Sequence, residues 1–231
     1  MEELKSYLDS QKIEYNSQIL EKFELFYNLL IEWNNKFNLT AITDKKDVEI
    51  KHFIDSITAY PYIKDNSYIC DIGAGAGFPS IPLAILKPNC KFILIDSLNK
   101  RINFLNEVCS QLKLDNCTCI HIRVEDFALK NKETFDITLA RAVAPLNILL
   151  EYTMPLLKVN GLLISHKGSN INDEILEANT ASKILNCKVN NKYELNLPNG
   201  DYRCLIEYIK TNKTPNKYPR SGNKPRTNPL I

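Results

Sequence analysis

From Pro61 onwards the sequence alternates between short apolar runs and segments of helix length, and this alternation restricts the fold more than any other feature. The apolar runs cover residues 67–70, 91–95, 117–122, 135–140 and 161–166. Helix-length segments lie between them at residues 79–86, 99–112 and 145–157. Strands that alternate with helices build right-handed βαβ units, whose parallel sheet is covered on both faces. The sequence therefore predicts an α/β fold with a mainly parallel sheet.

The first part of the chain is predicted to be helical. Over residues 19–37 large apolar residues recur at steps of three and four, which is one face of an amphipathic helix. Ser17 is the expected N-cap of this helix, and residues 38–43 interrupt it. A second helix is expected over residues 47–60, where Pro61 stops it.

Two strand-like runs near the other end predict an antiparallel hairpin. They cover residues 188–195 and 202–210 and flank Pro198-Asn199-Gly200, which favours a tight turn. The predicted organisation is an N-terminal helical region, a central α/β domain and a C-terminal arm, at residues 1–60, 61–210 and 211–231.

Charge is distributed unevenly along the chain. From Lys210 to Ile231 there are six basic residues and no acidic one, whereas the whole chain holds 29 basic and 27 acidic residues. The body of the chain is therefore acidic and its last segment basic. This segment also holds four prolines and no periodic apolar face, so it is expected to be a flexible arm that contacts a polyanion.

Composition narrows the class of protein. The hydrophobic fraction of 44% and the charged fraction of 24% exclude a wholly disordered chain. No run of about 18 uncharged apolar residues is present, so neither a membrane span nor a membrane partner is expected. The seven cysteines follow no disulfide spacing and no export signal is evident, which favours a cytoplasmic location. Cys117 and Cys119 lack a second pair of ligands, so no metal site is predicted.

A glycine-rich loop follows the first predicted strand. Its glycines are Gly73, Gly75 and Gly77, and the next residue is Phe78. The dinucleotide pattern G-x-G-x-x-G does not fit, and the Gly-Lys-Ser/Thr of a P-loop is missing. The spacing instead resembles the cofactor loop of class I methyltransferases, which bind S-adenosylmethionine.

Acidic residues after the following strands support an adenosyl ligand. Asp96 ends the second strand, 19 residues after Gly77, where a carboxylate can accept hydrogen bonds from ribose hydroxyls. Glu125 follows the third strand, beside the expected position of an adenine. Asp71, at the end of the first strand, belongs to the same edge of the sheet and is a further candidate.

The motifs that the chain lacks exclude some classes of methyl acceptor. Enzymes that methylate cytosine at C5 usually carry a Pro-Cys pair, and enzymes that methylate exocyclic amines usually carry Asn/Asp-Pro-Pro-Tyr. This chain has neither motif. A ring nitrogen with a free lone pair, such as guanine N7, requires neither of these motifs and no general base. Holding the nitrogen, the methyl carbon and the sulfur in line is sufficient for transfer. No catalytic residue is assigned.

Several motifs together resemble one family, the small-subunit ribosomal RNA methyltransferase G family, also called glucose-inhibited division protein B. The motifs are Asn38-Leu-Thr-Ala, Lys51-His-Phe-Ile-Asp55-Ser, Asp71-Ile-Gly-Ala-Gly-Ala-Gly-Phe-Pro, Asp96-Ser, Arg141-Ala-Val-Ala-Pro-Leu and Lys217-Tyr-Pro-Arg. The resemblance runs from about residue 20 to the C-terminus. It implies a class I, Rossmann-like fold and methylation of guanine N7 at position 527, in the decoding-region loop of 16S rRNA.

The resemblance also implies site residues and partners. The cofactor S-adenosylmethionine would contact Gly73, Phe78, Val124, Glu125 and Arg141, to which the fold argument adds Asp71, Gly75 and Asp96. The partner would be 16S rRNA or the small ribosomal subunit, with no obligate protein partner. The expected RNA-binding residues are Lys217, Arg220, Lys224 and Arg226, because positive charge binds phosphates.

Some questions stay open at this point. His52 has no identifiable partner, so it is either a buried structural residue or an acceptor contact. Methylation of another RNA, a small molecule or a protein remains an alternative function, as does a non-catalytic RNA-binding scaffold.

Overall fold

The structure, a computed structural model, describes all 231 residues and confirms the predicted α/β fold. Seven strands form one sheet in the order β3-β2-β1-β4-β5-β7-β6. The strands are β1 (Tyr68–Ile72), β2 (Lys91–Asp96), β3 (Cys117–His121), β4 (Phe135–Arg141), β5 (Leu157–Lys167), β6 (Cys187–Asn196) and β7 (Tyr202–Lys210). β1 to β5 pair in parallel, and β7 pairs antiparallel with both β5 and β6, which confirms the C-terminal hairpin.

Helices cover both faces of the sheet. They are α1 (Glu2–Ser10), α2 (Ser17–Phe37), α3 (Lys45–Val48), α4 (Asp55–Ile57), α5 (Ser80–Leu86), α6 (Asn99–Gln111), α7 (Val124–Lys130), α8 (Leu146–Thr153), α9 (Ile171–Glu177), α10 (Asn179–Ile184) and α11 (Lys224–Thr227). The N-terminal helices share one apolar core with α5 and α6, so they pack directly on one face of the sheet. None of the helices has both the length and the apolar character needed to cross a bilayer.

The local structure of the N-terminal region differs in part from the prediction. Helix α2 covers the predicted residues, but its N-cap is Asn16, whose side chain accepts a hydrogen bond from the Ile19 amide at 2.9 Å. The predicted single helix over residues 47–60 is interrupted: a π-helical turn, Glu49–Ile54, separates α3 from α4. This wider turn directs residues 51–55 towards the sheet, where they meet β4 and β7.

The order of the strands fixes where a ligand can approach. From β1 the chain moves outwards to β2 and β3, then returns to the other side of β1 as β4. In open α/β sheets a crevice opens at such a reversal, outside the carboxyl ends of the strands. The loop after β1 and the loop after β4 therefore face each other across this crevice.

Candidate active site

The glycine loop takes a backbone conformation that other residues rarely adopt. Gly73, Gly75 and Gly77 have φ values of +64°, +58° and +90°. A Cβ atom at Gly77 would lie 2.6 Å from Ile81 Cγ1, and one at Gly73 would lie 3.1 Å from Val143 Cγ2. The loop therefore requires glycine both for its turn and for its close approach to α5 and to the loop after β4.

Asp96 ties this loop to the end of β2. One of its carboxylate oxygens accepts a hydrogen bond from the Gly75 amide at 3.0 Å, and the other accepts from the Leu98 amide at 2.9 Å. Arg101 donates to the first oxygen at 3.2 Å. The buried carboxylate thus holds the glycine loop in place, a role that comes in addition to the predicted ribose contact.

A cavity of about 400 Å³ lies at the carboxyl ends of the strands. We call it the first cavity; its lining is Ile72, Gly73, Ile95, Asp96, Ser97, Arg101, Ile122, Arg123, Val124, Glu125, Ala142, Val143, Tyr152, Asn223 and Arg226. Four of the predicted cofactor residues, Gly73, Asp96, Val124 and Glu125, are among them. Aliphatic side chains and carboxylates line the same space, as a ligand with a flat base and a ribose requires.

Asp71 lies behind this cavity, fully buried at the end of β1. Neither of its carboxyl oxygens has a hydrogen-bond partner. Burial raises the pKa of Asp71 to about 7, and the charge of Arg141 opposes this rise. Asp71 is therefore a buried group without a hydrogen-bonding partner directly beneath the glycine loop.

A second cavity of about 480 Å³ adjoins the first, and Ala142 lines both. Its lining is Ile42, Lys51, His52, Asp55, Arg141, Ala142, His166, Lys167, Gly168, Glu174, Asp201 and Arg203. Only two of these residues are hydrophobic, and the four lysine and arginine side chains outnumber the three carboxylates. The second cavity therefore suits a polar or anionic ligand.

Asp55 organises the wall of the second cavity. Its buried carboxylate accepts hydrogen bonds from Arg203 Nε at 2.6 Å and from Arg141 Nη1 at 3.0 Å. Each oxygen thus receives one guanidinium. Arg141, predicted as a cofactor contact, lines this second cavity and not the first one.

His52 and Phe78 pack against Arg141 in the wall of the second cavity. His52 Nε2 lies 2.8 Å from Thr40 Oγ1, and His52 Nδ1 lies 3.1 Å from Arg141 Nη2. The rings of His52 and Phe78 stack with centroids 4.4 Å apart, and the Arg141 guanidinium lies 5.0 Å from the Phe78 centroid. The structure places Phe78 in the apolar core and not in the lining of the first cavity. His52 is therefore a buried, hydrogen-bonded residue that supports Arg141.

Comparison with known families identifies the family to which the chain belongs. The family model of rRNA small subunit methyltransferase G (GidB) matches residues 19–199. The chain belongs to this family. Curated relatives in the methyltransferase G family include proteins of Lactococcus lactis subsp. lactis, with 45% identity over 99% of this chain and 98% of the relative, and of Streptococcus agalactiae, with 49% identity over 91% of both chains.

Solved structures agree with this assignment at the level of the fold. A SAM-dependent methyltransferase of Aquifex aeolicus matches with a TM-score of 0.55 and 18% identity, covering 73% of this chain and 94% of that one. TYW2 of M. jannaschii in complex with AdoMet matches with a TM-score of 0.55 and 19% identity, covering 68% and 76%. This member of the methyltransferase G family therefore has the fold of S-adenosylmethionine-dependent methyltransferases.

The family motif at residues 51–56 supplies site residues that sequence reasoning left without a role. Asp55 stands in that motif, but its partner Arg203 lies 148 positions away, on β7. Tyr152 and Asn223 of the first cavity and His166 of the second were also missed. No local pattern marks these residues, because the packing of β5, of α8 and of the C-terminal segment brings them to the crevice.

The C-terminal segment of this family member is folded onto the domain, which corrects the expectation of a flexible arm. Tyr218 and Pro225 are buried, and the Arg220 guanidinium donates hydrogen bonds to the buried Glu151, among them from Nη2 at 2.7 Å and from Nε at 2.9 Å. Arg226 lines the first cavity. Of the four predicted RNA-binding residues, Lys217, Lys224 and Arg226 are exposed and have no acidic partner, and only Arg220 forms an ion pair.

The shifted pKa values of three buried groups, Asp71, His52 and His166, determine how the stability of this family member should depend on pH. Burial, together with the smaller effect of the Arg141 charge, lowers the pKa of His52 and of His166 to about 4. Between about pH 4.5 and 6 the unfolded chain carries a proton on both histidines, whereas the folded chain carries one on Asp71 only. The unfolded state thus binds one more proton, so the free energy of unfolding should rise with pH by about 1.4 kcal/mol per unit in this range.

Urea unfolding at several pH values between 4.5 and 6 measures this slope. Asp71→Asn removes the proton that the folded state binds, so the slope should double. His166→Asn removes one proton from the unfolded state and should leave almost no slope. An Asp71→Asn slope equal to that of the unmodified protein would show that Asp71 is ionised in the folded state.

Proposed function

We propose that this chain transfers a methyl group from S-adenosylmethionine to N7 of a guanine in 16S rRNA, at position 527 in the decoding-region loop. The observation that carries the proposal is the meeting of two cavities at Ala142. One is built for an adenosyl ligand and the other for a polar, electron-rich one. Membership in the methyltransferase G family supports rRNA as the substrate.

The first cavity fits the cofactor, which supplies an electrophilic methyl group carried on a positively charged sulfur. Gly73 gives the backbone close access, and the buried carboxylate of Asp96 can accept from ribose hydroxyls. Val124 and Glu125 begin α7 and offer an apolar contact and a hydrogen-bond acceptor to the base. Asp71 and Gly75 are proposed to act indirectly. Asp71 lies beneath the glycine loop, and the Gly75 amide donates a hydrogen bond to Asp96.

The second cavity is proposed to hold the guanine. N7 of guanine carries a lone pair and no proton, so no side chain has to act as a general base. Asp55 is unsuited to that task in any case, because both of its oxygens accept from arginine side chains. A guanidinium that donated to N7 would block the attacking lone pair. Arg141 and Arg203 are therefore proposed to contact guanine O6 or a phosphate oxygen.

Lysine side chains at the second cavity and on the C-terminal segment are proposed to bind the RNA backbone. Lys51 lines the second cavity, and Lys217 and Lys224 are exposed on the C-terminal segment. Contacts of this kind make affinity fall as salt rises. Arg220 is not part of the proposed RNA surface, because its guanidinium forms an ion pair with the carboxylate of Glu151.

Incubation of the purified protein with labelled S-adenosylmethionine and unmethylated 16S rRNA, naked or in small subunits, tests the proposal. Mass mapping of the RNA should find one methyl group on N7 of a single guanine in the decoding-region loop. Arg203→Ala should lower transfer while cofactor binding is kept, since Arg203 lines only the second cavity. A protein that binds the cofactor but methylates neither substrate at low salt would contradict the proposal.

A further inference from the structure

The C-terminal segment, residues 211–231, lies beyond the stretch matched by the family model, which ends at residue 199. It folds back over α8 instead of extending into solvent. Tyr218 and Pro225 are buried against the domain, and Lys132 Nζ donates to the Asn216 carbonyl at 2.9 Å. The path of the segment is therefore fixed by contacts with the domain even without RNA.

One ion pair anchors the segment beside the first cavity. Glu151 is fully buried on α8, and its carboxylate accepts from both the backbone amide and the guanidinium of Arg220, at 2.8 Å and 2.7 Å. Paired, charge-assisted hydrogen bonds of this kind define geometry strongly. The next residue on α8 is Tyr152, which lines the first cavity, so the anchor holds the segment at the wall of that cavity.

Two residues of the segment complete the lining of the first cavity. Asn223 and Arg226 face the same space as Val124 and Glu125, and Arg226 Nε donates to the Tyr152 hydroxyl at 3.3 Å. Burial raises the pKa of Tyr152, and the charge of Arg226 opposes this rise, which agrees with the closeness of the two groups. A guanidinium is flat and stacks on aromatic rings, so Arg226 and the aliphatic side chains of the same lining suit a planar aromatic group.

The hydrogen-bonding groups of the cavity distinguish between the possible ligands of Arg226. Asp96 and Glu125 line the same space as buried carboxylates, and Arg101 and Arg123, which also line it, pair with them at 3.2 Å and 3.5 Å. A carboxylate accepts hydrogen bonds and an ionised RNA phosphate has none to donate, so a phosphate is disfavoured beside the two carboxylates. A purine amino group and ribose hydroxyls supply such donors.

We propose that Asn223 and Arg226 bind the adenosyl half of S-adenosylmethionine directly, and that the Arg220–Glu151 pair is the positioning device that holds them there. This inference rests on the proposed function. It makes the basic segment a part of the cofactor site, in addition to any contact that Lys217 and Lys224 make with RNA.

Calorimetric titration of the full-length protein with S-adenosylmethionine, without RNA, tests the direct contacts. Arg226→Ala should weaken binding about tenfold, the loss of a partly desolvated cation–π contact. Arg226→Lys should bind with intermediate affinity, and Asn223→Ala should lose about threefold, one neutral hydrogen bond. Lys213→Ala, which removes an exposed charge from the same segment, is the matched control and should bind like the unmodified protein.

The outcomes separate this inference from the proposed function. If the unmodified protein does not bind S-adenosylmethionine, the proposed function fails. If it binds, and Arg226→Ala and Asn223→Ala bind equally well, the segment makes no cofactor contact and the inference is overturned. Because RNA is not present, a loss of affinity cannot come from a lost RNA contact.

The positioning role of Arg220 is tested at a temperature where its variants are folded, as judged by circular dichroism. Arg220→Ala should weaken cofactor binding several-fold although the side chain does not line the cavity. Arg220→Lys keeps the charge and should restore part of the affinity. An Arg220→Ala protein that is less stable but binds with full affinity would show that the pair serves stability alone.

Discussion

Asp55→Ala should lower the free energy of unfolding by about 3–5 kcal/mol, the cost of breaking a buried ion pair by removing one partner. The carboxylate of Asp55 is buried and holds both Arg141 and Arg203. Without it, two neighbouring guanidinium groups repel each other with no counter-charge. Since a domain of this kind is stable by about 5–15 kcal/mol, one substitution removes a large part of the total.

Urea unfolding measures this loss, and Asp65→Ala is its control. Asp65 pairs with Lys87 at 3.0 Å, but its side chain is 61% exposed, so its loss should cost less than about 1 kcal/mol. Asp55→Asn should fall between the two variants, because the amide keeps one acceptor. An Asp55→Ala protein as stable as the Asp65→Ala protein would show that the two arginines find other partners.

Gly73→Val should weaken binding of S-adenosylmethionine on the order of a hundredfold, which corresponds to about 2.7 kcal/mol. Two effects add. A β-branched residue at a φ of +64° is strained, at a cost of about 1–3 kcal/mol, and its side chain would press on Val143 from a Cβ position 3.1 Å away. The added methyl groups would also occupy the lining of the first cavity.

Gly200→Val separates the two effects. Gly200 has a φ of +89° in the turn of the hairpin, and no atom lies within 4 Å of a Cβ placed there. It therefore carries the strain of a positive φ without obstructing a ligand. Calorimetry should find unchanged cofactor affinity for Gly200→Val. Equal losses for both variants would mean that general destabilisation, and not obstruction, weakens binding.

Local sequence patterns predicted the strands, the hairpin and the glycine loop on which the site is built. The apolar runs and the turn at residues 198–200 specify the strands and the hairpin, because strand periodicity and turn chemistry act over a few residues. The glycine loop after β1 and Asp96 after β2 came from the same kind of local reasoning, and the structure places Gly73 and Asp96 in one cavity. Helices α7, α9 and α10 were missed, since short helices stabilised by packing have weak local signals.

The sequence by itself determined the order of strands and helices, the position of the glycine loop and the charge of the last segment, since each depends on neighbours along the chain. Only the tertiary structure decided which distant groups pair. Asp55 meets Arg203 across 148 positions, and Glu151 meets Arg220 across 69. Burial decides these pairings: a charge removed from water requires a partner, and the packing of the sheet and helices sets which one is within reach.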